Sequence, residues 1–393
     1  MPTASNRPRV PASTRQNATR ATIGALTTTI SVSIPVFLVG GLAVQVREEL
    51  GFSPAGLGLV VSAYFGVSAL ASVPAGALVE RFGATRISRT GIGLSAASLI
   101  MVAAVARSLW SLIAILSVSA VGNAMGQLAS NTSLSRQVPL HRQGFTFGVK
   151  QAAIPVSTLL AGAAVPVVAL TVGWRWAFVA AGALACAAIL VVPAEPVVRK
   201  PPREHGPATG ALVVIGLAAM LAAAAANALG TFLVSSAVSH GIDPASAGLT
   251  LTLGGAICGL ARITGGWQAD RRPGRQVGTI AALLACGALG LALLAVRGES
   301  ALVAGVVLGF GFGWAWPGLL NFAVVRLHPQ APAAATSITQ TGVYTGGCVG
   351  PLGLGAVADA AGYPTMWTVA SIAMVLAAVL MLLGSRLLGR HTA

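Results

Sequence analysis

The chain repeats itself at about half its length. Residue identities recur at a spacing of 190 positions, without a gap, along most of the 393-residue sequence. The matched pairs include Gly51 and Gly241, Pro54 and Pro244, Gly76 and Gly266, Arg81 and Arg271, Arg107 and Arg297, Asn131 and Asn321, and Arg136 and Arg326. A period of this length is too long for the unit of a solenoid. It therefore predicts two copies of one domain.

The composition places both copies in a membrane. Hydrophobic residues make up 55% of the chain and charged residues 8%, whereas a soluble domain carries about 25% charged residues. The stretches between the charged clusters have about the 20 residues that a bilayer-spanning helix needs. Twelve spans are predicted, over 22–46, 56–79, 87–106, 110–132, 144–170, 175–194, 209–237, 247–268, 276–296, 301–324, 335–358 and 366–386. Two parallel halves in an apolar chain are typical of a secondary transporter.

These spans predict an all-α membrane protein with twelve transmembrane helices in two pseudo-symmetric six-helix bundles. The bundles are assigned to residues 21–196 and 209–388, with a proline-rich charged linker over 197–208. Residues 1–20 are polar and basic, which predicts a disordered cytoplasmic tail. Residues 389–393 form a second short tail on the same side.

The net charge of +15 follows the membrane topology. With a cytoplasmic N-terminus, 20 of the 24 Lys and Arg residues lie on the cytoplasmic side, as the positive-inside rule requires. We therefore expect an integral protein of the cell (inner or plasma) membrane with both termini in the cytoplasm. Its partner is the lipid bilayer and not nucleic acid. The four cysteines lack CxxC spacing, which argues against disulfides and metal ligation, and no cofactor is expected.

Two loops carry related signatures. Residues 76–86, GALVERFGATR, follow the second span, and residues 266–275, GWQADRRPGR, follow the eighth with one glycine displaced. Both resemble the loop signature of the major facilitator superfamily, G-x-x-x-[DE]-R-x-G-x-[RK]-[RK], and residues 173–178, GWRWAF, are also similar to many members. The resemblance covers roughly residues 21–388. It implies the fold of that superfamily, a monomer, and alternating access in which the halves rock about a central site.

The signature loops have a physical interpretation as a gate. Gly76 would let the end of the second span approach a neighbour closely, and Glu80 can pair with an Arg or with the positive N-terminus of a helix across the interface. The alternative is that these charges only fix topology and cap helix ends. Because the same set of signature residues recurs in both loops, we favour a cytoplasmic gate. The predicted gate residues are Gly76, Glu80, Arg81, Gly83, Arg86, Gly266, Asp270 and Arg271.

Two cations lie within predicted spans. Lys150 is near the start of the fifth span, and Arg262 lies eight residues before Asp270, about 12 Å into the eighth span at 1.5 Å per residue. An ionisable group inside the bilayer is a functional candidate by default, because its burial is costly. The fifth and eighth spans pack together in the superfamily, so the two cations would be close, and an anionic ligand would relieve their repulsion. Snorkelling to the interface is the alternative, as plausible as a ligand role for Lys150.

Further polar side chains complete the predicted site. Asn123, Gln127 and Asn131 are spaced i, i+4 and i+8, on one face of the fourth span, which lines the cavity in the superfamily. Such amides can instead join helices to one another. The predicted substrate-binding residues are Arg262, Lys150, Asn123, Gln127, Asn131, Gln151, Asn227, Trp316, Asn321, Gln340 and Tyr344. In the repeat, Lys150 matches Gln340 and Arg262 matches Ser72, an asymmetry that indicates a ligand bound off the pseudo-axis.

The acidic residues decide between classes of transporter. All nine lie near helix ends or in loops, whereas drug–proton antiporters of the superfamily usually carry an embedded acid. The pattern resembles the cyanate/nitroimidazole-type and organic-anion branches. We therefore hypothesise a transporter of a small organic anion, with a proton or a counter-substrate as open choices of coupling partner. Export of hydrophobic drugs or metabolites is the alternative, and a membrane-embedded enzyme or receptor is more distant because no nucleophile–base pair or metal motif occurs in the spans.

Overall fold

The computed structural model describes residues 12–139, 142–194, 210–271, 276–327 and 332–391. These residues form helices joined by short turns, and no strand occurs among them. The linker predicted over 197–208, and residues 1–11 and 392–393 of the predicted tails, lie outside the described residues.

The first half begins with a broken span. It contains α1 (Ala12–Gly41), α2 (Ala43–Leu50), α3 (Pro54–Phe82), α4 (Ala84–Val105), α5 (Leu109–Gln137), α6 (Gln143–Ala164), a π-helical turn (Val165–Ala169) and α7 (Trp174–Val191). The break at Leu42 divides the span predicted over 22–46. Residues 12–20, assigned to a disordered tail, are helical instead. Once a span has formed, further residues extend an existing helix without a new nucleation cost.

The second half contains the remaining six spans. It comprises α8 (Gly210–Ser239), α9 (Pro244–Arg271), α10 (Gln276–Leu294), α11 (Glu299–Leu308), a π-helical turn (Gly309–Gly313), α12 (Pro317–Leu327) and α13 (Pro332–His391). α11, the π turn and α12 together make the tenth span. α13 holds the last two spans, because Gly362 inside it has φ 81° and ψ 165°, a backbone conformation that glycine adopts without strain.

The spans are long enough to cross a bilayer. Among the described residues, eleven helical segments are sufficiently long and apolar, and one of them, 338–387, has 50 residues. A span needs about 20 residues, so the bend at Gly362 divides this segment into two. The protein therefore has the twelve spans that the sequence predicts.

Local signals set several helix ends. The Ser53 hydroxyl accepts a hydrogen bond from the Gly56 amide at the start of α3, and Ser108 and Ser111 form a reciprocal capping box at the start of α5. Such caps satisfy amides that have no partner within the helix. They fix where each span begins and so the depth of its side chains.

The halves meet along matching interfaces. α6 packs on α9 and α3 packs on the first arm of α13, while α1 contacts α8. At the predicted outer end of each interface the backbones almost touch. A Cβ built on Gly58 would lie 2.1 Å from the Pro351 carbonyl oxygen, and one on Gly248 would lie 2.7 Å from the Gly162 carbonyl oxygen. Gly58 and Gly248 are equivalent in the repeat, so both outer contacts depend on a missing side chain.

The predicted cytoplasmic ends of the two interfaces differ. A Cβ on Gly266 would lie 2.8 Å from the Gly144 carbonyl oxygen and 3.2 Å from the Gly148 Cα, so α9 and α6 are in close contact there. A Cβ on Gly76, its equivalent in α3, would meet nothing within 4 Å among the residues whose side chains the structure describes. The close approach expected at Gly76 is therefore found only at Gly266. The α6–α9 interface is therefore closely packed at both ends, whereas the α3–α13 interface is closely packed at its outer end.

Alanine at these two equivalent glycines is expected to have opposite effects. Gly266→Ala forces α6 and α9 apart and should lower the free energy of unfolding by about 1–3 kcal/mol. Gly76→Ala has open space and better helix propensity, so it should be neutral or stabilise by up to about 1 kcal/mol. Thermal unfolding of both purified variants in detergent measures the difference. Equal effects at the two positions would contradict the asymmetry.

Candidate functional site

Lys150 lies inside the protein, on α6. Its side chain is 1% exposed, and the ammonium Nζ donates a hydrogen bond to Gln127 Oε1 on α5. Gln127 in turn donates to the Ser33 hydroxyl on α1 at 3.5 Å. The lysine therefore points toward its own bundle and does not snorkel to the membrane surface.

Arg262 is buried at the centre of the α6–α9 interface. Its side chain is 3% exposed, and its guanidinium donates to backbone carbonyls on both sides. Nη1 donates to the Gln151 oxygen at 2.8 Å, and Nε and Nη2 donate to the Trp314 oxygen at 3.1 and 2.7 Å. The guanidinium carbon also lies 5.7 Å from the centre of the Trp314 ring. Arg262 thus joins α6 of the first half to the tenth span of the second.

The two cations share a region without counter-charge. The residue after Lys150 supplies the carbonyl that Arg262 binds, which places the two cations in neighbouring positions on α6 and α9. Among the described residues, neither cation has an acidic partner. The neutral hydrogen-bond acceptors partly offset the cost of burying these charges. The net positive charge of the centre remains.

The amides of the fourth span divide between two roles. Asn123 is buried and donates to the Ser68 hydroxyl on α3 at 3.2 Å, and Ser68 donates to the Ala120 carbonyl at 3.0 Å. This amide joins helices of one bundle. Gln127 is half-buried and contacts Lys150, and Asn131 is half-buried one turn further toward the cytoplasmic end. Of the three, Gln127 lies against the cationic centre.

The other predicted polar residues also differ in their surroundings. Asn227 donates to the carbonyl of Ala223 in its own helix at 2.8 Å, which is a local role. Asn321 is half-buried on α12. Gln151 and Trp316 are buried, and Gln151 Oε1 and Trp316 Nε1 have no hydrogen-bond partner among the described residues. They bring an unused acceptor and an unused donor to the same interface.

The equivalent position on the other interface is neutral. Tyr344, on the first arm of α13, forms hydrogen bonds with Gln340 of its own helix and with Ser72 on α3. Gln340 and Ser72 are the repeat equivalents of Lys150 and Arg262. The site is therefore cationic where α6 meets α9 and uncharged where α3 meets α13.

The second signature loop reaches across the halves. Asp270 Oδ2 at the end of α9 accepts a hydrogen bond from the Phe145 amide in the first turn of α6, at 2.8 Å. A Cβ on Gly144 would lie 2.3 Å from Asp270 Oδ1, so only glycine admits the carboxylate there. An acid at a helix N-terminus satisfies a free amide and interacts favourably with the helix dipole. A contact of this kind was expected for Glu80 of the first loop, whereas the structure places it at Asp270 of the second.

Within the described residues, the first signature loop makes contacts inside its own half, where the Thr85 hydroxyl donates to the Pro193 carbonyl at 2.9 Å. Glu80, Arg81 and Arg86 are exposed, and the Arg81 guanidinium lies 5.2 Å from the Phe82 ring centre. Gly83 ends α3 with φ 86° and donates its amide to the Val79 carbonyl at 2.9 Å. Arg271 of the second loop lies over Trp267 of its own helix at 3.7 Å. Of the predicted gate residues, Gly266 and Asp270 are the ones that touch the opposite half.

One ion pair on the predicted outer side of the membrane was not predicted from the sequence. Arg175 Nη2 lies 2.6 Å from Glu49 Oε1, and Trp174 Nε1 donates to Glu49 Oε2 at 2.6 Å. Arg175 also donates to the carbonyls of Ala103 and Ala106 at the end of α4, at 2.9 and 2.8 Å. The GWRWAF stretch thus ties α2, α4 and α7 together.

Sequence reasoning missed the backbone partners of Arg262. The carbonyl of Gln151 is free because Pro155, four residues later, has no amide hydrogen to donate. The spacing of these two residues within one span was the available signal. At the Trp314 carbonyl the available signal was Pro317, which has no amide hydrogen and begins α12 directly after the break. Among the described residues, no cluster of His, Cys, Asp or Glu could hold a metal ion.

Comparisons with known proteins agree on one family. The family model described as Major Facilitator Superfamily matches residues 21–351 and 215–389. Uncharacterized MFS-type transporters of Burkholderia mallei strain SAVP1 and Burkholderia pseudomallei strain K96243 are 27% identical over 362 residues, covering 88% of this chain and 86% of theirs. A solved bacterial homolog of the human lysosomal transporter Spinster, in an inward-facing and occupied conformation, superposes with a TM-score of 0.76 at 16% identity, covering 96% of this chain and 98% of its own.

The Glu49–Arg175 pair predicts a stability change in acid. The hydrogen bond from Arg175 is the largest of the effects that hold the pKa of the Glu49 carboxyl below its ordinary value. A lowered pKa in the folded state contributes stability above the unfolded pKa, about 4.3, which is lost as the pH falls through the folded value. Glu49→Gln should remove this component, while Glu48→Gln serves as the control. Because Glu49 is 47% exposed, the effect on the thermal midpoint is expected to be small. A Glu49→Gln acid profile that matches the wild type would contradict this role.

Proposed function

Because the chain belongs to the major facilitator superfamily, we propose that it is a secondary transporter that moves a small organic anion by alternating access. It acts from the cell membrane, with both termini in the cytoplasm, as a monomer. Its family and fold are those of a transporter and not of an enzyme. The substrate class and the transport cycle rest on the arguments that follow.

The cationic centre carries the proposal for an anion. Lys150 and Arg262 are both buried at the interface between the halves, and among the described residues neither has an acidic partner. Burying a charge without a counter-ion is costly, and an anion bound beside Lys150 would remove most of that cost. The unpaired Trp316 indole nitrogen offers a further donor. Gln127, Gln151 and Gln340 supply neutral polar contacts around it.

The interface geometry supports alternating access. The α6–α9 and α3–α13 contacts are equally close at their predicted outer ends, but a Cβ would clash at Gly266 and not at Gly76. A rocking motion requires interfaces that stay closed at one end while they separate at the other, and the α3–α13 interface has this form at Gly58 and Gly76. Asp270 then acts as a cytoplasmic latch on the N-terminus of α6. Glu80 is its equivalent for the opposite interface.

Ligand-dependent thermal stability tests the anion proposal. Wild-type protein in detergent should be stabilised by at least one of acetate, lactate, benzoate or nitrate, and Lys150→Met should abolish the shift. A ligand at 100 times its Kd stabilises by about 2.7 kcal/mol. Lys150→Arg is the matched control, because it keeps the charge and should retain part of the response.

The other outcome favours the alternative function. Stabilisation by tetraphenylphosphonium or other lipophilic compounds, unchanged in Lys150→Met, would contradict the anion proposal. It would favour export of hydrophobic drugs or metabolites. Uptake of the stabilising anion into proteoliposomes would then separate binding from transport.

The Asp270 latch predicts a local change in hydrogen exchange. Asp270→Ala removes the acceptor of the Phe145 amide, so that amide should exchange at least about tenfold faster, given the worth of a hydrogen bond to a charged group. Asp270→Asn keeps an acceptor and should show a smaller change. Glu80→Ala, at the equivalent position, is the control and should leave Phe145 unaffected. Unaltered exchange in Asp270→Ala would rule out the latch.

A further inference from the structure

Two backbone irregularities face each other across Arg262. Pro155 lies inside α6 and has no amide hydrogen, so the carbonyl of Gln151 has no donor in its own helix. Across the interface, the π turn of the tenth span ends at Gly313 and α12 begins at Pro317, which leaves Trp314 between two helices with φ −117° and ψ 4°. Each irregularity exposes a carbonyl in the interior of the protein.

The face of α9 is shaped to bring Arg262 to both carbonyls. A Cβ on Gly255 would lie 2.6 Å from the Pro155 carbonyl oxygen, and one on Gly266 would lie 2.8 Å from the Gly144 carbonyl oxygen. Glycines on either side of Arg262 thus let α9 lie directly on α6. The guanidinium then donates to Gln151 at 2.8 Å and twice to Trp314, at 3.1 and 2.7 Å.

The geometry requires an arginine. The planar guanidinium holds several N–H groups in a fixed fork and can serve two acceptors on different sides at once. A lysine ammonium is a compact point charge, so it keeps the charge but loses the fork. Without the fork, either the Gln151 carbonyl would be left buried and unpaired or the Trp314 carbonyl would retain the weak bond from Cys258 Sγ at 3.5 Å in place of two charged donors. An unpaired buried carbonyl costs more than a typical hydrogen bond contributes.

We propose that Arg262 is a positioning residue that clamps the break in the tenth span to α6, so that the shape of the tenth span and the α6–α9 interface change together. This goes beyond the proposed function, because the clamp uses the backbone and needs no substrate. Its effect on the site is indirect. It fixes Trp316, two residues after the bound carbonyl, relative to Lys150 on the adjoining half.

Hydrogen exchange of ligand-free protein tests the clamp. In Arg262→Lys, amides over residues 309–320 should exchange at least about tenfold faster, because the Trp314 carbonyl loses charge-assisted bonds that hold the break closed. Arg89→Lys is the matched control. Arg89 donates to the Val192 carbonyl at 2.8 Å, so this variant should change exchange only near the end of α7. Unchanged exchange over 309–320 in Arg262→Lys would overturn the proposal.

A double-mutant cycle tests the link to α6. Pro155→Ala restores an amide that can pair with the Gln151 carbonyl inside the helix, which removes the need for the bond from Arg262. The loss of thermal stability in Arg262→Lys should therefore be smaller in the Pro155→Ala background than in the wild type. Non-additivity supports the clamp, and additive effects would overturn it, since independent sites add.

The two tests are independent of the substrate. Both are made without any anion, so failure of the clamp would leave the Lys150 binding experiment unaffected. Conversely, absence of anion binding would not alter the expected exchange pattern. Size-exclusion chromatography of each variant checks that it is folded. If Arg262→Lys does not fold, the Pro155→Ala variant alone still decides, because pairing the Gln151 carbonyl within α6 frees Nη1 and removes the contact of the clamp to α6. Residues 309–320 should then exchange faster, and unchanged exchange there would overturn the proposal.

Discussion

The constraint on which this structure depends is that every backbone carbonyl within the membrane needs a donor. No water is available in the hydrocarbon core, so a helix can break only where another group of the protein replaces the lost bond. Arginines do this at several places. Arg262 serves the break in the tenth span and the carbonyl freed by Pro155, Arg175 serves the end of α4, and Arg89 serves the end of α7. These bonds fix the helices relative to one another where apolar packing alone is non-directional.

The second organising feature is the glycines at the interfaces between the halves, which have no side chain to keep the helices apart. Lipid is as apolar as the helices, so helices associate in a membrane mainly where small residues allow close contact. Gly58 and Gly248 give that contact at equivalent points, and Gly266 extends it to the predicted cytoplasmic end of one interface only. The same close contact also places Asp270 against the first turn of α6. A packing feature and an electrostatic feature therefore coincide at the predicted cytoplasmic end of the α6–α9 interface.

The cationic centre arises from these features together. Arg262 is buried because the glycines around it bring α9 onto α6, and Lys150 is buried because α5 offers Gln127 as an acceptor. Neutral acceptors satisfy hydrogen bonds but do not cancel charge. The hydrogen bonds of the two cations are thus satisfied, whereas their positive charge is not compensated. This combination is the basis on which we propose an anionic substrate.

The sequence by itself determined the membrane class, the twelve spans, the two halves and the family, because hydropathy and the 190-residue repeat are properties of the chain alone. It also identified Lys150 and Arg262, since charge in an apolar span is visible without coordinates. Only the tertiary structure decided what these cations do. The repeat made Gly76 and Gly266 equivalent, yet they have different neighbours, and spacing placed Asn123 and Gln127 on one face, yet they bind different helices. The physical reason is that hydrogen-bond partners such as the Trp314 carbonyl are backbone groups, and which side chain reaches them depends on how the helices pack.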